Sequence, residues 1–184
     1  MAICRTGEAM EHHAFSPGAL PVPFPCSESR ISGPRRALTK FLAFDQVLDA
    51  RATGPQWLIR PDVAGAVVDV LFAGQDKGFY ELGSWVVMPN HVHLLLIPVV
   101  ELPRVVSGIK VASAKAANGL LNRTGAFWSR DYFDRWIRSS DEEQRVIRYI
   151  ESNPVKAGLC ADVAEWRFSS AAGPRNAAGS RMSN

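Results

Sequence analysis

Two runs of β-forming residues with almost nothing between them constrain this chain most. Phe79–Met88 and His91–Val99 are rich in aromatic and β-branched residues, and only Pro89-Asn90 separates them. Such a spacing predicts two antiparallel strands joined by a tight turn. The turn leads into the second strand as Met88-Pro-Asn-His91-Val92-His93-Leu-Leu-Leu. Side chains at i and i+2 of a strand share a face, so His91 and His93 project together while Val92 and Leu94 enter the other face.

The remaining elements follow from periodicity and punctuation. Pro61–Ala73 is expected to be a helix: proline suits its first turn, Asp62 complements its dipole, and Val63, Val67, Val70 and Leu71 line one face. Leu102–Asn122 carries apolar residues at helical spacing. Tyr132–Arg138 alternates as a short strand. Asp141–Ala157 is a third helix, started near Ser140, with Asn153-Pro154 ending or kinking its regular part and Gly158 closing it. Ala37–Asp49 reads as a short helix or irregular lead-in. The order implies an α+β fold with helices on one face of an antiparallel sheet.

The ends differ in composition. Residues 1–36 hold five of the twelve prolines and read as a disordered or irregular arm. Residues 172–184 read as a flexible tail, leaving 37–171 as the folded domain. No apolar run approaches the length of a membrane span, so no membrane association is expected. Cys4, Cys26 and Cys160 are an odd, scattered set, which favours a reducing compartment and a cytoplasmic location.

Net charge is only +3, yet it is unevenly placed. Asp45–Val87 carries three basic and six acidic residues, whereas Leu102–Arg138 carries seven basic and two acidic. That segment is a candidate footprint for phosphate, or else a solvated helix face. Phe127, Trp128, Tyr132 and Trp136 interleave with its charges and either stack on unpaired bases or pack in the core.

Two imidazoles side by side are a ready pair of metal ligands, or else two histidines on a half-exposed strand. Several metal families fit poorly. An HxHxDH site is excluded because Leu94, Leu95 and Leu96 follow the pair. A cupin-like glutamate is absent, since Glu101 lies beyond Pro98, and a zinc deaminase would need HxE and a later PCxxC. His12 and His13 lie in the arm, so a third ligand must be an oxygen from elsewhere. Two imidazoles with a side-chain oxygen and water suit Mg²⁺ or Mn²⁺.

Tyr149 and Asn153 stand four residues apart and share a helix face, with Ile147, Ile150 and Ala157 on another face toward the core. Tyr149 is either a tyrosine at a core margin or a nucleophile, with the Asn153 amide oxygen as the missing ligand. A phenol attacks poorly until its anion is stabilised. Arg145 and Arg148 are within helical reach of it, and a phosphodiester is a fitting target.

MPNHVHLLLIP, FWSRDYFDRWIR, RYIESNPVKAGL and the tail Glu165-Trp166-Arg-Phe-Ser-Ser together resemble the REP-associated tyrosine transposases. These are single-strand transposases of the insertion-sequence-200/605 type, within the His-hydrophobic-His (HUH) endonucleases. The resemblance runs from about Gly54 to Ser170. It implies His91, His93 and Asn153 as metal ligands, Mg²⁺ or Mn²⁺ as cofactor, and Tyr149 as the nucleophile that forms a 5′-phosphotyrosine with single-stranded DNA. It further implies a REP-like hairpin as the DNA partner and a monomer rather than a dimer. Lys110, Lys115, Arg123, Arg130, Arg135, Arg145 and Arg148 become candidate DNA contacts. Three other functions share part of this constellation: a catalytically impaired hairpin-binding protein, a rolling-circle replication or relaxase-type nuclease, and a small zinc hydrolase using the HVH pair.

One departure bears on the fold. The resemblance implies a ferredoxin-like sheet whose aromatic first strand is central and precedes the region of Ala37–Asp49. The residues there are Pro21–Ser32, with three prolines, and proline does not fit a central strand. The expected fold is therefore one with its first strand missing or degenerate and its core incomplete or marginal.

Overall fold

Lys40–Phe44, read along its alternating side chains, decides the middle of the molecule. The computed structural model describes residues 39–44, 55–130 and 132–173, and in it Lys40–Phe44 is a strand, β1. The expected arm over 1–36, Pro21–Ser32 within it, and all but the start of the expected tail lie outside the described residues. Phe41 and Leu42 are both buried, Leu42 completely, in two separate clusters. The helix or irregular lead-in expected over Ala37–Asp49 is thus corrected. A five-residue segment is too short to form a self-supporting helix. Apolar side chains on both of its faces suit a strand covered on both sides.

Five more elements and a last helix follow: α1 (Pro61–Asp76), β2 (Tyr80–Val87), β3 (Val92–Pro98), α2 (Leu102–Leu120), β4 (Tyr132–Trp136) and α3 (Ser140–Lys156). The sheet order is β2-β3-β1-β4, with every pairing antiparallel. That is the ferredoxin-like order, and the expected antiparallel α+β architecture is met. The expected loss of the first strand is not. β1 lies between β3 and β4, pairing Leu42 with Leu94 on one side and with Asp134 on the other. The strand is present because Lys40–Phe44, downstream of the prolines, supplies its material.

The pleat sorts the core into two layers. Leu42, Val92, Leu94 and Leu96 pack with Val63, Val67 and Leu71 of α1 and with Val105 and Ile109 of α2. Phe41, Val86 and Leu95 pack with Ile137 and with Ile150 of α3. Two helices therefore share one face as expected, while α3 crosses the opposite face. A chain with apolar residues on both sides of its central strands needs cover on both.

Ser139 caps α3, its hydroxyl accepting from the Glu142 amide at 3.2 Å, and Asp141, Glu142 and Glu143 fill the first turn. Pro154 does not end this helix, which continues to Lys156. The proline falls in the last turn, where its missing N–H costs a single bond to the Ile150 carbonyl. Gly158 then takes φ +69°, and Leu159 N–H donates to Pro154 O at 2.9 Å.

β2 is an edge strand, and the C-terminal segment covers it. Trp166 Nε1 donates to Val87 O at 3.0 Å, Val87 N–H to Phe168 O at 2.8 Å, and Trp85 N–H to Ser170 Oγ at 3.1 Å. This pairing occupies an edge that would otherwise recruit another chain.

Tyr80 shows how tightly α1 meets the sheet. Its buried hydroxyl donates to Leu71 O at 2.7 Å, and burial pushes the phenol well above its ordinary pKa. A Cβ added at Gly74 would overlap the Tyr80 ring. Gly74→Ala is expected to cost about 1–3 kcal/mol through this overpacking, measurable by urea unfolding. A variant as stable as the parent would contradict this contact.

Candidate active site

The turn between β2 and β3 sets the first group. Met88 N–H donates to His91 O at 2.8 Å, closing Pro89 and Asn90 into a two-residue loop. Leu58 N–H, from a short 3-10 turn at Trp57–Ile59, donates to Pro89 O at 3.0 Å and pins the loop from outside. Asn90 Oδ1 lies 2.7 Å from His91 Nδ1. An amide oxygen only accepts, so this bond places the imidazole proton on Nδ1 and leaves Nε2 as the lone-pair nitrogen. His91 itself stands one residue before β3 begins.

His91 and His93 are both buried, and their rings meet edge-on with centroids 4.8 Å apart. The i, i+2 geometry expected from the sequence is therefore present, but both rings are buried rather than on a half-exposed strand, and His93 meets α3 at Tyr149. His93 is packed on one side by Phe41, stacked at 5.7 Å and 18°. On another side lies Tyr149, at 5.5 Å and 70°. Phe41 also meets Tyr149 edge-on at 6.2 Å. Two strands and one helix, β1, β3 and α3, thus bring Phe41, His93 and Tyr149 into a single cluster.

Asn153 is buried one turn beyond Tyr149, and its Nδ2 donates to Tyr149 O at 2.9 Å. That bond uses the nitrogen of the amide, and its oxygen is the atom suited to a cation. The buried stripe of α3 includes Ile150, Asn153 and Pro154, with Tyr149 beside it. The tyrosine and asparagine therefore share the face that meets the sheet, and Ala157, expected toward the core, is the exposed C-cap. Among the described residues no three His, Cys, Asp or Glu converge on one point.

The basic candidates are divided by the sheet. Arg145 and Arg148 are exposed on α3. Arg135 is exposed on β4 and pairs with Glu142 at the start of α3. Lys110 and Lys115 lie on α2, on the other side. Lys110 Nζ donates to the Ser129 and Arg130 carbonyls at 3.0 and 3.3 Å, and Arg130 is exposed on that loop. Arg123 donates to Asn118 Oδ1 and Ala126 O and stacks over Trp57 at 3.8 Å, so it clamps the loop after α2. Of the four interleaved aromatics, Phe127 and Trp128 are core residues, while Trp136 is exposed and lies under Lys40.

Sequence reasoning missed two neighbours of Tyr149. Phe41 is hidden in the sequence because so short a run does not declare itself a strand; the alternation of Phe41, Ala43 against Leu42, Phe44 is the available signal. Lys156, two turns along α3, places Nζ 4.9 Å from the Tyr149 ring, and its i+7 spacing was equally legible.

Comparison with known proteins agrees with the motifs. A solved structure of a REP-associated tyrosine transposase bound to a REP hairpin shares the fold. Its TM-score is 0.53 at 24% identity, over 79% of this chain and 82% of the other. A REP-associated tyrosine transposase of Escherichia coli (strain K12) is 26% identical over 92 residues, 49% of this chain. That alignment spans 53% of the relative, about half its length. The family described as Transposase IS200 like matches residues 58–153, a span reaching from the turn before α1, through both histidines and Tyr149, to Asn153. With just over half its length matched, the chain belongs to the IS200-like transposase family.

Proposed function

We propose that this chain cleaves and rejoins single-stranded DNA beside repeat hairpins, with Tyr149 as its nucleophile. The observation that carries this reading is the packing of Tyr149 against His93, with His91 beyond it. In the proposed reaction Tyr149 Oη attacks a DNA phosphorus. The phenol loses its proton as a 5′-phosphotyrosine bond forms, and a 3′-hydroxyl leaves. Attack by another 3′-hydroxyl on that bond frees the tyrosine and rejoins the strands.

The donor set fits a divalent ion. Two adjacent buried imidazoles and a carboxamide oxygen match what Mg²⁺ or Mn²⁺ accepts, with positions left for water and phosphate oxygens. His91, His93 and Asn153 would hold it. When bound there, the ion polarises the scissile phosphate and offsets the charge that develops on it. The protein supplies the rest. Asn90 holds the His91 tautomer, and Phe41 covers one face of His93. Lys156 keeps positive charge beside the phenol that becomes anionic in attack.

Arg135, Arg145 and Arg148 are the proposed phosphate contacts on the side of α3. Lys110, Lys115, Arg123 and Arg130 would reach DNA only where it wraps past the edge of the sheet. The hairpin partner is proposed from the solved neighbour, which carries a REP hairpin. No helix among the described residues is long and apolar enough to cross a membrane, and we place the protein in the cytoplasm, acting as a monomer.

The direct test is a labelled hairpin oligonucleotide incubated with Mn²⁺ and resolved under denaturing conditions. Wild type is expected to form a covalent adduct that disappears with a chelator and in Tyr149→Phe. Hairpin binding without an adduct would leave a DNA-binding protein and remove the enzyme. The His91 tautomer gives a second test. Asn90→Ala is expected to weaken Mn²⁺ binding by about tenfold or more. In the metal-free protein, the same substitution should shift the ¹⁵N signals of His91 away from the Nδ1–H form. Unchanged signals and affinity would show that Asn90 does not position His91.

A further inference from the structure

A second aromatic group lies across the Pro89-Asn90 turn from the histidines. Trp57 and Phe127 are stacked at 5.3 Å and 25°, and Trp128 meets Phe127 edge-on at 4.8 Å. They line a cavity of about 290 Å³, together with Leu58, Asn90 and Ser129. Asn90 therefore belongs both to this cavity and to the bond with His91.

We propose that this cavity is a slot for one unpaired base of the DNA strand. The inference rests on the reading of the protein as a single-strand DNA enzyme and adds a binding site to it. The volume lies at the lower end of small-ligand clefts, which run from about 300 Å³ upward. It suits a single flat ring system rather than a longer stretch of strand. The lining is largely aromatic, an apolar surface of the kind that unpaired bases pack against. Asn90 Oδ1 is committed to His91, so the polar group that Asn90 can offer an occupant is its amide nitrogen. That nitrogen donates, and base carbonyls and ring nitrogens accept. The Arg123 guanidinium lies over Trp57 at 3.8 Å, adding positive charge beside the slot, and among the described residues no acidic one lines it. A base seated here would be one residue removed from His91, close enough to register the strand against the site.

The test compares two single strands of equal length and charge, an oligothymidylate and a strand of abasic sites, by fluorescence anisotropy. Ala126 is exposed and lines the cavity, so Ala126→Leu fills the slot without removing an aromatic wall. Ser129→Leu fills it from another residue and guards against one variant failing to fold. In both, the preference for the base-bearing strand is expected to fall by about tenfold. Affinity for the abasic strand and its salt dependence should stay as in wild type. An unchanged preference in the folded variants would overturn the slot alone. Failure of wild type to bind either strand would overturn the single-strand DNA reading, and the slot with it.

Discussion

The pairing of β1 with both β3 and β4 is the constraint on which everything else depends. Five residues, Lys40–Phe44, join the histidine strand to the far edge of the sheet. Leu42 is fully buried toward α1 and α2, which by itself is worth about 1.5–3 kcal/mol of transfer free energy. Phe41, on the opposite face, stacks on His93 and meets Tyr149. Removing this strand would open the core on one side and uncover the site on the other. The hairpin alone could not hold the site, because two strands without a third are marginal in water.

The hairpin was legible because two strands separated by a two-residue turn leave little freedom of register. The histidine face was legible for the same reason, through the period of two along β3. The tyrosine helix could be read from its acidic first turn and its glycine stop. β1 was not legible, since a five-residue run is ambiguous between strand and helix until its neighbours are known. The resemblance led attention to Pro21–Ser32, while the residues that fill the central position lie just after it. Pro154 misled in a smaller way. Its position in the last turn of α3, four residues before Gly158, makes it harmless to helical continuity.

Charge was the least transferable signal. The basic segment Leu102–Arg138 is contiguous in sequence, but its residues are sorted by the elements they sit on. Lys110 and Arg123 bind backbone carbonyls and hold the loop between α2 and β4. Arg135 is drawn to Glu142 at the start of α3. A segment of net +5 is therefore not one surface. The charges nearest the site face are those of α3, outside the segment that the count singled out. Local pairing decides which cations remain for a phosphate backbone.

The central claim is that His91, His93 and Asn153 hold one metal ion beside Tyr149, where β3 meets α3. Substoichiometric Mn²⁺ added to isotope-labelled protein tests it most directly, because a paramagnetic ion broadens the signals nearest to it. The expected result is that the His91 and His93 rings, the Asn153 amide and the Tyr149 ring broaden together, ahead of every carboxylate-bearing surface. Broadening confined to acidic side chains such as those of the first turn of α3, with the histidine and Tyr149 signals unaffected, would contradict it.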